Sequence, residues 1–347
     1  MTPSHADNAA QAHQMALQGA TLYQRGQTAQ ACALCLAALQ LAPQSCEVLL
    51  LLAFMALHAQ QPHESIDWIN RAIAENGELA DAYFLRGEAQ QMAKQYEAAA
   101  ASYDEVLRRK PDHADALNNR GNACQALGQY ERALKDYDRA VELNPAKASF
   151  HNNRGLTIKA LGDHPLAITC FQRAIALQQD YGLAHFNLGL SLFATGRYQD
   201  AAASHEEAIR LMPAHAPAHW GRADALRATG QYEASLASYD TAISLEPHHA
   251  DIHNNRGLLL HVWGKHHEAL ADFATAARFN PGHADAHCNR GMALEAMGQH
   301  TDALGCYDAA IALSPRHAAA HFNRALCNLT LGNYGKGWPE YEWRWQT

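Results

Sequence analysis

A fixed period of 34 residues runs through almost the whole chain and constrains its fold more than any other feature. Stepping by 34 from Pro43 reaches a proline at seven of nine positions. The nine residues are Pro43, Gly77, Pro111, Pro145, Gln179, Pro213, Pro247, Pro281 and Pro315. Because a period of this length is the signature of stacked supersecondary units, the sequence predicts a repeat array and not one compact core.

With this proline as position 32, the sequence divides into nine whole repeats and a partial tenth. Residues 1–11 are predicted to be an N-terminal tail, 12–317 the whole repeats, and 318–347 the partial one. The nine repeats are 12–45, 46–79, 80–113, 114–147, 148–181, 182–215, 216–249, 250–283 and 284–317.

Small residues recur where two helices of one repeat would approach each other. Position 8 is only glycine or alanine, position 20 is alanine or serine in the nine whole repeats, and position 24 is tyrosine or phenylalanine in most repeats. A glycine at position 15 favours a tight turn, and the proline at position 32 ends a helix. Each repeat is therefore predicted to be a pair of antiparallel helices, A and B, with a bulky residue facing a small one.

This pattern resembles the tetratricopeptide repeat over essentially the whole chain. The resemblance implies an all-α fold, a right-handed superhelical solenoid of antiparallel helix pairs whose inner groove is lined mainly by helix A. It also implies that the chain is an interaction scaffold, which holds a protein or peptide in an extended conformation.

Position 6 of helix A is an asparagine in six of the last seven repeats, and packing alone does not explain it. The six are Asn119, Asn153, Asn187, Asn255, Asn289 and Asn323, interrupted by Gly221. A carboxamide offers a donor and an acceptor, which matches the backbone of an extended peptide. The alternative is a filler that bonds locally within helix A. The column, with His-Asn-Asn-Arg-Gly at 151–155 and 253–257, is similar to the substrate-binding repeats of protein O-linked N-acetylglucosamine transferase, which implies peptide-backbone binding by these six asparagines.

Three further columns are interpreted structurally. Arginines at position 7 and acids at position 25 predict ion pairs between helices, and acids at position 2 suit a helix N-terminus. Histidine fills position 4 of repeats 5 to 10, and four of these follow another histidine by four residues, a spacing that can chelate a metal. No glutamate or cysteine is apparent in the sequence as a third ligand, so packing is favoured, and neither a metal nor a cofactor is predicted.

The two ends of the array depart from the common pattern. Position 6 is Leu17, Leu51 and Leu85 in repeats 1 to 3, which predicts either an apolar groove or a homodimer contact there. At the other end, Trp338, Tyr341, Trp343 and Trp345 are predicted to dock a partner domain, since exposed aromatic clusters are normally covered.

Residues 337–345 resemble the junction motif of bacterial tetratricopeptide glycosyltransferases. That resemblance implies a second role for the chain, as the substrate-recognition arm of a glycosyltransferase whose catalytic domain would follow residue 347. Within the chain we find no nucleophile with its base and no phosphate-binding loop, so this chain itself is predicted not to be an enzyme.

Composition narrows the class of partner. The formal net charge is −8 and the basic residues are scattered, which argues against nucleic acid. The longest apolar run, 48–57, is too short to cross a membrane, and the start lacks the features of a secretory signal, so a cytoplasmic location is expected. Eight cysteines without disulfide spacing suit a reducing compartment, and Cys32 and Cys35 are predicted to pack within a helix.

Overall fold

The computed structural model describes residues 5–346, which contain helices and no strand. The first ten helices are α1 (His5–Gln24), α2 (Thr28–Leu41), α3 (Cys46–His58), α4 (Pro62–Glu75), α5 (Ala80–Met92), α6 (Tyr96–Arg109), α7 (Ala114–Ala126), α8 (Tyr130–Leu143), α9 (Ala148–Ala160) and α10 (His164–Leu177). The next ten are α11 (Gly182–Ala194), α12 (Tyr198–Leu211), α13 (Ala216–Ala228), α14 (Tyr232–Leu245), α15 (Ala250–Val262), α16 (His266–Phe279), α17 (Ala284–Ala296), α18 (His300–Leu313), α19 (Ala318–Thr330) and α20 (Tyr334–Tyr341), and a 3₁₀ helix (Glu342–Trp345) follows. The predicted all-α repeat fold is confirmed.

The chain forms two compact units, which we describe separately. Unit 1 covers residues 1–179 and unit 2 covers 180–347. In both units each odd-numbered helix packs against the even-numbered helix that follows it, so these pairs are the predicted A and B helices.

The A helices form the inner layer of each unit. Within a unit, the backbone of every A helix closely approaches that of the A helix of the next repeat, whereas the backbones of consecutive B helices among the described residues lie farther apart. The layer whose helices lie closer together is on the inside of a curved stack. Residues on helix A are therefore placed toward the concave side, as the family resemblance implied.

The turn between helix A and helix B places position 15 in the left-handed region in all ten repeats. Eight of these residues are glycines with φ between 71° and 88°, which confirms the predicted turn. The other two are Gln60, with φ of 60°, and Lys94, with φ of 58°. A side chain in this conformation costs roughly 1–2 kcal/mol, so the turns of repeats 2 and 3 keep the common geometry against the preference of their residues.

The predicted contact between a small position 8 and a bulky position 24 is also present. A Cβ added to Gly121 would lie 2.7 Å from the ring of Tyr137, and one added to Gly257 would lie 2.7 Å from the ring of Phe273. Both aromatic residues are fully buried. The absence of a side chain at position 8 is therefore what lets the two helices approach.

Both ends differ in detail from the sequence-based division. Helix α1 begins at His5, so residues 5–11, assigned to the tail, form its first turns. Helix α20 has 8 residues where the other B helices have 14, and it contains Pro339. A proline inside a helix removes one backbone hydrogen bond and clashes with the preceding turn, which accounts for the early end and the change to a 3₁₀ helix.

Candidate peptide-binding surface

The asparagine column, which we define as the six asparagines at position 6, lies on the inner layer. Asn119 and Asn153 belong to unit 1, and the other four belong to unit 2. Five of the six are half-buried, and Asn187 is buried. Five side chains of the column therefore reach solvent in part, as a ligand-binding amide must.

In unit 1 the column is held by a second set of asparagines at position 5. Asn118 donates from Nδ2 to Oδ1 of Asn119 at 3.1 Å, and Asn153 donates to Oδ1 of Asn118 at 3.0 Å and to Oδ1 of Asn122 at 3.2 Å. Asn152 in turn donates to Asn153 at 3.4 Å. The amides of repeats 4 and 5 thus form one hydrogen-bonded chain.

Unit 2 repeats this arrangement in part. Asn254 donates to Oδ1 of Asn255 at 3.3 Å, and Asn289 donates to Oδ1 of Asn254 at 2.9 Å. Cys288 occupies position 5 in repeat 9, and Asn323 contacts its sulfur at 3.7 Å. Sequence reasoning did not assign a role to position 5, although the Asn-Asn doublets were the available signal.

These bonds bear directly on the two interpretations of the column. Local bonding, which the filler interpretation requires, is present. A carboxamide, however, has two N–H groups and an oxygen with two lone pairs, so even Asn153, which donates two of these bonds and accepts one, keeps acceptor capacity for a ligand. The network therefore fixes the amide groups without exhausting them.

The gap at Gly221 has a steric cause. A Cβ at Gly221 would lie 2.6 Å from Nε2 of His205, which occupies position 24 of repeat 6 in place of an aromatic residue. The His205 side chain is fully buried, and neither ring nitrogen has a hydrogen-bond partner within the described part of the chain. Burial, and secondarily the charge of His215, lowers the pKa of His205 to about 4, so the ring is neutral at pH 7.

The predicted ion pairs between position 7 and position 25 are confirmed. Five of the seven arginines at position 7 pair with an acid 16 residues before them, on helix B of the preceding repeat. The pairs are Arg120–Asp104, Arg154–Asp138, Arg222–Glu206, Arg256–Asp240 and Arg324–Asp308. These contacts tie consecutive repeats together.

A second acid, at position 23 of the same repeat, was not predicted. Arg256 donates from Nε and Nη2 to the two carboxylate oxygens of Asp272 at 2.7 and 2.6 Å, and Arg120 binds Asp136 in the same bidentate way. Burial opposes the ionisation of Asp272, but the hydrogen bonds from Arg256, together with the His253 ring 3.5 Å away, outweigh it and lower the pKa of this carboxyl group. The carboxyl group of Asp272 is therefore ionised in the folded protein at neutral pH.

The histidine column is engaged by the backbone, as the packing interpretation predicted. Four of its six members bond through Nε2 to the carbonyl oxygen of the residue six positions earlier, which is the proline at position 32. These are His151, His219, His253 and His321, at 2.9 to 3.0 Å. Each bond joins the end of one repeat to helix A of the next.

The acids at position 2 lie in the first turn of helix A, as expected, and also pair with the last residue of the same repeat. Asp115 accepts from Lys147 at 2.5 Å, and Asp285 contacts Nε2 of His317 at 3.1 Å. They therefore tie the start of one A helix to the residue that caps the next A helix.

The four aromatic residues at the C-terminal end are only partly covered. Trp343 stacks on His321 with ring centroids 4.1 Å apart and an angle of 5° between the planes. Tyr341 packs between Phe322 and Trp338, with ring centroids 5.6 and 5.9 Å away. Trp338 and Trp345 remain 58% and 75% exposed. The exposed apolar surface is thus concentrated on these two tryptophans.

Repeats 1 to 3 present apolar residues at position 6. Leu17 is 53% exposed, whereas Leu51 and Leu85 are half-buried.

On α2, burial, and secondarily Cys32, raises the pKa of the fully buried Cys35 to about 11, so its thiol is protonated at pH 7 and packs as a small apolar group.

The sequence matches tetratricopeptide-repeat family models over most of its length. The matched segments are residues 59–114, 114–147, 147–214, 223–261 and 288–337. The chain belongs to the tetratricopeptide-repeat family. A comparison with curated proteins gives no match.

Solved structures with the same fold support this tetratricopeptide-repeat assignment. A chain of the APC/C hetero-tetramer Cut9–Hcn1 aligns with 81% of this chain over 55% of its own length, with 18% identity and a TM-score of 0.60. A tetratricopeptide repeat protein from Parabacteroides merdae matches 72% and 98%, with 18% identity and a TM-score of 0.56. PilF from Pseudomonas aeruginosa matches 62% and 99%, with 17% identity and a TM-score of 0.55. At these identities the likeness concerns the fold alone.

Among its described residues, this tetratricopeptide-repeat chain contains no helix that is both long enough and apolar enough to cross a membrane. The run 48–57 lies within α3, whose buried residues include Val48, Leu49 and Leu52. The apolar run predicted from the sequence is thus part of the repeat core.

Proposed function

We propose that this tetratricopeptide-repeat chain is a scaffold that binds a protein or peptide segment in an extended conformation along the asparagine column. One observation carries the proposal: half-buried carboxamides recur at one position of the inner helices and are held by neighbouring amides. Their spacing by one repeat suits a ligand with regularly placed polar groups, and a peptide backbone is such a ligand.

The held amides reduce the cost of binding. Asn153 and Asn289 are each oriented by a hydrogen bond of about 3 Å to an asparagine of the preceding repeat. A side chain that is already fixed loses little rotamer freedom on contact with a ligand. Since one hydrogen bond contributes about 1 kcal/mol net, several amides must act together to give useful affinity.

The test compares peptides that differ only in their backbone. Peptides would be selected on the full chain from a displayed random library, and each backbone N–H of a selected peptide would then be replaced in turn by an ester oxygen. We expect esters facing the column to weaken binding about fivefold each, the equivalent of roughly 1 kcal/mol. This loss should shrink in a variant in which Asn153, Asn255 and Asn289 are alanine.

A matched variant controls for the loss of amides in general. Gln172 and Gln199 are exposed amides on the B helices α10 and α12, and their replacement by alanine should leave affinity unchanged. If the triple asparagine variant binds the selected peptides as tightly as the unchanged protein, with the same ester profile, the column is a packing device and the proposal is wrong.

A second candidate function is the substrate-recognition arm of a glycosyltransferase. The exposure of Trp338 and Trp345 supports it, because a docked domain would cover both rings. The resemblance of residues 337–345 to the junction of bacterial tetratricopeptide glycosyltransferases points the same way. The decisive measurement is the gene sequence downstream of the codon for Thr347, since the absence of a nucleotide-sugar-binding domain there would contradict this function.

Self-association through repeats 1 to 3 is proposed as a property of the scaffold. Leu17 is 53% exposed and Phe54 is 39% exposed, and the ring of Phe54 lies 5.9 Å from that of Tyr23. Light scattering would give the mass of the unchanged protein and of a variant with Leu17→Lys and Phe54→Lys. A dimer that becomes a monomer in the variant supports the contact, and a monomer in both cases contradicts it.

A further inference from the structure

We propose that Glu295, His300 and Cys327 form a binding site for one transition-metal ion of the zinc type. A ligand atom from each of the three side chains lies within 4.8 Å of the other two. Glu295 and His300 are half-buried, and Cys327 is fully buried. The sequence analysis predicted no metal site, and this proposal is independent of the peptide-binding function.

The repeat geometry brings the three residues together within unit 2. Glu295 is position 12, near the end of α17, and His300 is position 17, at the start of α18, so the tight A–B turn places them side by side. Cys327 is position 10 of the next A helix, α19, which packs against both. The sulfur of Cys327 lies 3.3 Å from the carbonyl oxygen of His300.

The three donor types suit zinc and cobalt. Thiolate, imidazole and carboxylate are the side chains that bind Zn²⁺, with bonds of about 2.0 to 2.3 Å in a tetrahedron. Such a tetrahedron holds its ligand atoms roughly 3.3–3.6 Å apart. The three atoms must therefore close by at most about 1.5 Å, which rotation of the Glu295 and His300 side chains can supply, and water would take the fourth position.

Two features of the residues in and beside this site favour a bound metal ion. Nδ1 of His300 is buried and has no hydrogen-bond partner within the described part of the chain, a state that is unusual for a buried polar atom. The hydroxyl group of Tyr307 donates to Oε2 of Glu295 at 2.8 Å. Metal-bound carboxylates are commonly oriented by such a second hydrogen bond.

Binding releases one proton. The thiol of Cys327 loses its proton to solvent as its sulfur forms the bond to the metal ion, and no electron is transferred. Affinity should therefore increase with pH through the neutral range.

Other repeats supply substitutions that the fold already accepts. Position 10 is alanine in Ala89 and Ala123, and position 17 is tyrosine in Tyr96 and Tyr130. Position 12 is Gln91 in repeat 3, where it accepts the hydrogen bond of Tyr103 at 2.8 Å, as Glu295 does from Tyr307. Cys327→Ala, His300→Tyr and Glu295→Gln are thus expected to fold.

The experiment is a titration of the full, reduced, untagged chain with Co²⁺. We expect thiolate-to-cobalt charge-transfer absorption that saturates at one equivalent and disappears when Zn²⁺ is added. Since second-shell changes cost 10- to 100-fold in metal affinity, Cys327→Ala and His300→Tyr should weaken binding at least about 100-fold. Glu295→Gln and Tyr307→Phe should each weaken it about 10-fold.

A second buried thiol provides the control. Cys306 lies on the same helix as His300 and is almost fully buried, so Cys306→Ala should leave the cobalt spectrum unchanged. Zn²⁺ should also raise the melting temperature of the unchanged protein and of Cys306→Ala, but not that of Cys327→Ala. Absence of the thiolate absorption in the unchanged protein, or its persistence in Cys327→Ala, would overturn the proposal.

Discussion

Repeats 2 and 8 build the same helical hairpin from opposite chemistry. In repeat 2 the A helix carries Leu51 and Leu52 at positions 6 and 7, and in repeat 8 the same positions are Asn255 and Arg256. Leu52 is buried in an apolar cluster, whereas Arg256 binds two carboxylates. The fold of the hairpin thus depends on the small residue at position 8 and the bulky residue at position 24, whereas positions 6 and 7 accept either apolar or polar side chains.

The apolar contact of repeat 2 and the ion pair of repeat 8 should respond differently when one side chain is removed. An apolar contact that is lost leaves a cavity, and the neighbours relax into part of it. A buried ion pair that loses one partner leaves an uncompensated charge, which costs more than the pair had contributed. The following predictions test this difference, in order of decreasing effect.

Replacing the arginine of repeat 8 is expected to have the largest effect. Arg256→Met leaves the buried carboxylate of Asp272 without its bidentate partner, which should lower the free energy of unfolding by about 3–5 kcal/mol. Leu52→Ala in repeat 2 should cost about 2–5 kcal/mol through its cavity. Urea unfolding measures both.

The double variant Arg256→Met with Asp272→Leu separates the two mechanisms. Removing the buried charge along with its partner should recover most of the loss, because a buried ion pair can often be replaced by apolar residues at little cost. If the double variant is as unstable as the single one, the arginine acts by packing and the contrast with repeat 2 disappears.

Repeat 6 is a third case, in which a buried polar group has no partner. Since the pKa of His205 is about 4 in the folded state and about 6.5 in the unfolded state, the unfolded chain binds the proton first as the pH falls. The contribution of neutral His205 to stability is fully present above pH 6.5. The free energy of unfolding should decrease by about 3 kcal/mol as the pH falls from 6.5 to 4. His205→Phe, which restores the aromatic residue of other repeats, should remove this part of the pH dependence of unfolding. An unchanged profile would contradict the assignment.

The small column is expected to show an intermediate effect. Gly121→Ala places a Cβ 2.7 Å from the Tyr137 ring, and overpacking of this kind costs about 1–3 kcal/mol. Repeat 2 already has Ala53 at this position, opposite Ile69. Gly121→Ala combined with Tyr137→Ile should therefore melt at a higher temperature than Gly121→Ala alone. Equal melting temperatures would show that the two positions do not act as a pair.

The smallest expected effect is a gain. Gln60 has φ of 60°, and Gln60→Gly removes a side chain from the left-handed turn of repeat 2. The relief of strain exceeds the added flexibility of the unfolded chain, so the free energy of unfolding should rise by about 0.5 kcal/mol. Gly264→Gln, the reverse change in repeat 8, should lower it by about 1 kcal/mol. Paired thermal melts would detect the two opposite signs.

The features predicted correctly from the sequence are those fixed within one repeat. The turn at position 15 and the contact between positions 8 and 24 depend on residues 16 or fewer positions apart, and each has a direct steric cause. The pairing of Arg256 with Asp240 was also predictable, since opposite charges recurred in two columns.

What the sequence did not reveal depends on how neighbouring repeats are stacked. The hydrogen bond from Asn289 to Asn254 joins residues 35 positions apart, and the contact of Cys327 with His300 joins residues 27 apart. Their distances depend on the rotation of one hairpin against the next, which no local pattern specifies. For the same reason the position of the column on helix A could be predicted, but not the orientation of its amides.

The bond between a histidine at position 4 and the proline carbonyl before it gives the junctions before repeats 5, 7, 8 and 10 one common form. The histidine lies near the start of a repeat and the proline near its end. A repeat that carries both can therefore be duplicated or excised, and the same bond can form between the new neighbours. Repeats 6 and 7 are the exception. Gly221 leaves room for the buried ring of His205, so a recombination that places a repeat with a side chain at position 6 after repeat 6 would bring that side chain against the ring.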